Sequence, residues 1–183
     1  MVPEVFQPRF QPGALADLRA RLTATRWPDV IGPDDWTFGV PQGWLRDMCH
    51  WWADEWDPAA VAADMERFDH YRVEIDGVPL HFVHAPSERA DAVPLILTHG
   101  WPWTFWDYRE LIEPLREHFH VVVPSLPGFG FSVPLRRPGV DVSVVAELWV
   151  KLMVDVLGYE RFAAHGGDWG ALVTGHLGHA HAG

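Results

Sequence analysis

Two short aliphatic runs decide what this chain can become. VPLILTH (Val93–His99) and FHVVVPS (Phe119–Ser125) are continuous and apolar, as strands buried on both faces are. Between them Phe105, Tyr108, Leu111, Ile112 and Leu115 recur with helical period. After them Val145, Leu148, Trp149, Leu152, Met153, Val156 and Leu157 form a second helical stripe, which Gly158 stops. RFAAH (161–165) is a small third strand, and WGALVTGHLGHA (169–180) begins a third helix. Strands alternating with helices in this way predict a parallel sheet covered on both faces. Such sheets bind ligands at the carboxyl ends of their strands. Three unusual loops fall there: HGWPW (99–103), SLPGFGFS (125–132) and GGDWG (166–170).

Upstream, YRVEID (71–76) and VPLHFVHA (78–85) flank Gly77 and read as a strand pair. Residues 1–68 are helical and aromatic. Leu15, Leu18 and Leu22 share one face of a segment that Pro28 ends, and Trp44, Met48, Trp51, Trp52 and Trp56 recur at helical spacing. One helix does not bury so many indoles alone. Residues 1–68 are therefore expected to pack as an extension on a core formed by 69–183, not to stand as a separate domain.

Fourteen Lys and Arg face 25 Asp and Glu, a net charge of −11 that repels phosphate backbones and argues against nucleic-acid binding. Cys49 is the single cysteine, so no internal disulfide frames the fold. The first ten residues lack the blocks of a signal peptide, and no apolar run approaches the roughly 18 residues of a membrane span. A soluble cytoplasmic protein without a membrane anchor is expected.

Asp168 lies at the centre of GGDWG. A nucleophile lifted clear of a sharp strand-to-helix turn needs small residues two before and two after it, here Gly166 and Gly170. The helix N-terminus behind it favours the ionised carboxylate. A carboxylate attacks saturated carbon that bears a leaving group, giving an alkyl ester that water then cleaves. That cleavage needs N–H donors for an oxyanion, which the amides of Trp169 and of Trp101 in the neighbouring loop can supply. Taken by themselves, the five residues fit a helix-capping aspartate after a glycine turn at least as well. The order and spacing of all three loops favour the nucleophile.

The combined pattern resembles the microsomal-type epoxide hydrolases of the α/β-hydrolase superfamily along nearly all of the chain. The segments that carry the resemblance are FQPRFQPGALADLRARLTATRWPD, YRVEIDGVPLHFVHAPS, PLILTHGWPW, FHVVVPSLPGFGFS and LMVDVLGYERFAAHGGDWGALV. It implies a partial α/β-hydrolase core with a mostly parallel sheet and helices on both faces, ending just after the nucleophile turn. It implies opening of epoxides to vicinal diols through an Asp168 ester, with the Trp101 and Trp169 amides as oxyanion donors. His99, Gly100 and Pro102 would shape the oxyanion loop, Gly166, Gly167 and Gly170 the turn, and Trp103 and Phe129 the substrate side. A small apolar epoxide and water would be the only reactants, with no cofactor and no metal.

Two residues depart from the pattern: Trp103 replaces a small residue, and His165 an uncharged polar one. The family's cap tyrosines and its water-activating histidine with an acid partner have no counterpart. Tyr71, Tyr108 and Tyr159 match no cap position, and His176, His179 and His181 lie on a helix running away from the turn. The chain thus reads as the first half of an enzyme, inactive alone, whose last strand leaves a sheet edge open to self-association or to a complementing chain. Two other readings stay open: a haloalkane-dehalogenase-like enzyme using the same aspartate, and a non-catalytic subunit.

Overall fold

The computed structural model describes residues 1–182. Arg9–Met65 form one compact unit and the remainder of the described chain forms another. In the first unit the helices are α1 (Pro12–Thr23), α2 (Gln42–Asp54) and α3 (Pro58–Met65). Arg19 reaches from α1 to the carbonyl of Ala53 in α2, and the Phe10 and Trp56 rings meet edge to face. The tryptophan stripe of α2 is largely exposed among the described residues. Trp44, Trp51 and Trp52 are 48%, 45% and 44% exposed, and Ala53 is the buried residue of the helix.

The second unit is built on a six-stranded sheet of β1 (Glu4–Phe6), β2 (His70–Ile75), β3 (Val78–Ala85), β4 (Val93–Thr98), β5 (Phe119–Pro124) and β6 (Ala163–Gly166), in the order β1-β2-β3-β5-β4-β6. Only the β5-β4-β6 part is parallel. The β1–β2, β2–β3 and β3–β5 ladders are antiparallel, so the sheet is mixed where a mostly parallel one was expected. The β2–β3 ladder has a local cause: Asp76 and Gly77, both with positive φ, make a two-residue turn that reverses the chain. β1 was assigned to the helical extension. Instead it pairs along β2 and sets the Phe6 ring edge-on to His81.

One face of the sheet packs Val73, Leu80, Phe82, Ile96 and Val122 against α5 (Val142–Lys151) and α6 (Trp169–His181). The alternate residues Leu95, Leu97, Val121 and Val123 face the other way and are also buried. A 3-10 turn (Phe105–Tyr108) and α4 (Arg109–Arg116) pack against β5. Asp141 caps α5 by accepting the Val144 N–H at 3.0 Å. The predicted stripe to Leu157 holds, but Leu152–Val156 run as a π-helical turn before Gly158 ends the helix at φ +77.

Neighbouring residues of α4 separate core from surface. Ile112 is fully buried and Leu111 is 48% exposed, although both fit the helical stripe. Ile112→Ala should lower the unfolding free energy by about 2–5 kcal/mol and Leu111→Ala by less than about 1 kcal/mol. Urea titration of both variants checks this; equal losses would contradict it.

Candidate active site

β6 ends at Gly166 and α6 begins at Trp169, so Gly167 and Asp168 make the whole turn. Asp168 has φ +53° and ψ −121°, a conformation that side-chain-bearing residues rarely adopt. The turn closes tightly. A Cβ on Gly166 would strike the Gly170 carbonyl, and one on Gly170 would strike the carbonyl oxygens of Thr98 and His99 at the end of β4. A Cβ on Gly100 would come within 2.6 Å of the Asp168 Cβ and 2.8 Å of its Oδ1. Gly167 is different. Nothing lies within 4 Å of where its Cβ would stand and its φ is not left-handed, so the turn does not require glycine there.

A capping aspartate has extended backbone and accepts the N–H of the second or third residue of its own helix. Asp168 has neither feature. Its Oδ1 accepts the Trp101 N–H at 2.8 Å, from the loop after the adjacent parallel strand. The Trp101 amide first, and then the Trp169 amide, hold the Asp168 carboxyl below the ordinary aspartate range, against a small opposing effect of burial. The carboxylate is exposed, and the Trp101–Pro102 peptide is cis.

His99 braces the loop through both ring nitrogens. Its Nδ1 is 2.9 Å from the Gly100 carbonyl and its Nε2 accepts the Leu126 N–H at 3.0 Å, so both ring nitrogens are engaged. Burial pushes its pKa down, which keeps the ring neutral. Phe129 stands edge-on to His99 and to Trp169. With Leu126, Val145, Leu172 and Val173, Phe129 and Trp169 line an apolar cavity of about 260 Å3. Trp103 is 60% exposed and does not line that cavity. His181 pairs with Glu147 at 2.9 Å, out on α6.

The serines at either end of SLPGFGFS escaped the sequence reading. Ser132 Oγ donates to the Ser125 carbonyl at 2.8 Å and accepts the His81 N–H at 2.9 Å. His81 Nδ1 lies 2.9 Å from Ser125 Oγ, and its Nε2 lies 2.9 Å from His70 Nδ1. Burial, and then the nearby His70, push the His81 pKa well down, so the His81 ring is neutral within a buried chain that clamps the loop carrying Phe129. The only sequence signal was the pair of serines bracketing a glycine-rich loop.

A turn that lifts a carboxylate between strand and helix, facing amides from the next parallel strand, defines an α/β-hydrolase core. Residues 93–181 match the profile of the alpha/beta hydrolase fold. Residues 3–108 match the profile of the epoxide hydrolase N terminus, and the chain belongs to the epoxide hydrolase family. A protein of Stigmatella aurantiaca (strain DW4/3-1) named in this family is 42% identical over 91% of this chain and 40% of its own length. Epoxide hydrolase 1 of Sus scrofa is 30% identical over 86% of this chain and 37% of its own. The solved epoxide hydrolase of Aspergillus niger superimposes with a TM-score of 0.88 at 31% identity, covering all of this chain and 50% of the other. The chain thus spans about two fifths of its curated relatives' length. Among the described residues no helix is long and apolar enough to cross a membrane.

Two outcomes follow from the turn. Gly167→Ala should fold like the wild type, whereas Gly170→Ala should lose at least about 2 kcal/mol of stability because backbone, not a movable side chain, blocks the Cβ. Thermal melts distinguish them, and equal melting temperatures would contradict the geometry. Carbon-13 NMR should find the Asp168 carboxyl titrating below an ordinary aspartate. A depressed folded-state pKa stabilises the fold above the unfolded value and loses that contribution as pH falls through the folded value, so the pH dependence lies on the acid side of the ordinary aspartate value of 3.8. A normal or raised pKa would contradict the amide contacts.

Proposed function

We propose that Asp168 is the nucleophile of an epoxide hydrolase and forms an alkyl ester with its substrate. The observation that carries this reading is the exposed carboxylate at the head of α6 whose Oδ1 accepts the Trp101 amide from the loop after the adjacent strand. A carboxylate oxygen attacks an epoxide carbon, the ring C–O bond breaks, and the alkoxide takes a proton from an acid. Water then adds to Cγ of Asp168. The negative charge develops on a carboxyl oxygen already facing the Trp101 and Trp169 amides, and collapse of the adduct releases a vicinal diol and restores the carboxylate. The apolar Phe129–Trp169 surface suits a small apolar epoxide.

The match to the N-terminal profile of epoxide hydrolases favours this over a halide-releasing enzyme that uses the same aspartate. The proton donor for the alkoxide and the base for the water are assigned to residues outside 1–182, since His99 is fully engaged and His181 is paired on α6. A polypeptide of residues 1–183 is accordingly proposed to turn over epoxides poorly, lacking roughly the 10²–10⁴ of general acid–base assistance. β6 pairs only with β4 among the described residues, so the same polypeptide is proposed to self-associate or to accept another strand along that edge.

In the full-length protein, Asp168→Asn should lower kcat by at least about 10³-fold with substrate affinity nearly unchanged, because the amide keeps the size and loses the nucleophile. Stopped-flow binding and turnover with an aryl epoxide measure both. Near wild-type turnover in the variant would remove Asp168 from the mechanism.

A further inference from the structure

Tyr108 ends the 3-10 turn before α4, is 9% exposed, and lies where β4 and β6 finish side by side. Its hydroxyl donates to the Thr98 carbonyl at 3.0 Å. Thr98 is the last residue of β4 and is in register with Gly166, the last residue of β6. On the other side its ring stands edge-on to His165 of β6, with centroids 6.5 Å apart. One side chain therefore touches both strands of the site, its β4 contact three residues before the Trp101 amide and its β6 contact three residues before Asp168. The Thr98 carbonyl it holds is also the atom that a Cβ on Gly170 would strike. From the opposite side the Trp149 indole donates to Thr98 Oγ1 at 3.0 Å. Burial, and then nearby Asp107, raise the Tyr108 pKa, so the phenol stays protonated and keeps its donor throughout the neutral range.

We propose that Tyr108 is a positioning residue: its hydroxyl holds the end of the oxyanion strand at the Thr98 carbonyl while its ring rests on the strand that enters the nucleophile turn, and so it sets how closely the Trp101 amide approaches the Asp168 carboxylate. A hydroxyl that only filled the core would stabilise the fold without touching the state of Asp168. Tyr159 supplies the matched comparison. Its hydroxyl bonds His84 Nε2 at 3.0 Å and its ring stacks on His120 near the start of β5, at the other end of the parallel strands.

This rests on the reading of Asp168 as nucleophile only in its kinetic arm. In full-length protein labelled at aspartate Cγ, Tyr108→Phe should raise the Asp168 pKa by about half a pH unit or more, as the Trp101 contact slackens. Tyr159→Phe should leave it unchanged. Single-turnover ester formation should fall about tenfold in Tyr108→Phe with substrate Kd within about twofold. An unmoved Asp168 pKa in folded Tyr108→Phe, or an equal rise in both variants, overturns the proposal. A rise specific to Tyr108→Phe combined with an active Asp168→Asn would keep the bridge and discard the nucleophile. Should Tyr108→Phe not fold, the Tyr108 hydroxyl proton in the wild type decides: a slowly exchanging hydroxyl resonance supports the bond to Thr98, and exchange as fast as a free phenol overturns it.

Discussion

There is no room for a side chain where the end of β4 meets the start of α6. Three backbone segments converge there, around Gly100, Gly166 and Gly170, and a Cβ at any of them would run into main chain or into Asp168. The approach forces the turn between β6 and α6 into two residues and drives Asp168 to positive φ, at a cost of about 1–3 kcal/mol. α6 offsets that cost by packing Val173 and Leu177 into the core with α5. Everything chemical about the site descends from this crowding. It brings the Trp101 amide to the carboxylate, and it leaves the carboxylate exposed at the head of a helix.

Asp168 breaks a local rule. Its place before α6 is that of a capping residue, yet it makes no capping bond and its backbone is not extended. Local preferences are violated at functional sites more than elsewhere, because the rest of the fold holds the strained group in place. Here the holding parts are neutral and buried. They are the His99 ring engaged at both nitrogens, the Thr98 contacts with Trp149 and Tyr108, and the histidine–serine chain under the Phe129 loop. None carries a charge that would compete with the carboxylate.

β4, β5 and β6 and the helices between them were legible because hydrophobic period and glycine stops act over a few residues. The place of the GGDWG and HGWPW loops in the fold was legible because both fall at carboxyl strand ends. β1 was not, since three residues carry no period and pair with a strand more than sixty positions away. The antiparallel half of the sheet was implicit in the Asp76–Gly77 turn, but that β3 lies beside β5 depends on packing that the pattern does not encode. The same limit hid the His81 network, whose partners are 11, 44 and 51 residues distant.

The central claim is that water is added to Asp168 and not to the epoxide. A single turnover of the full-length protein in ¹⁸O-labelled water, followed by mass spectrometry of the peptide that contains Asp168 and of the diol, separates the two routes. Attack at the carboxyl carbon predicts heavy oxygen in the Asp168 side chain and an unlabelled diol from the first turnover. Label confined to the diol, with the Asp168 peptide unchanged, would mean direct hydration of the epoxide and would contradict the account.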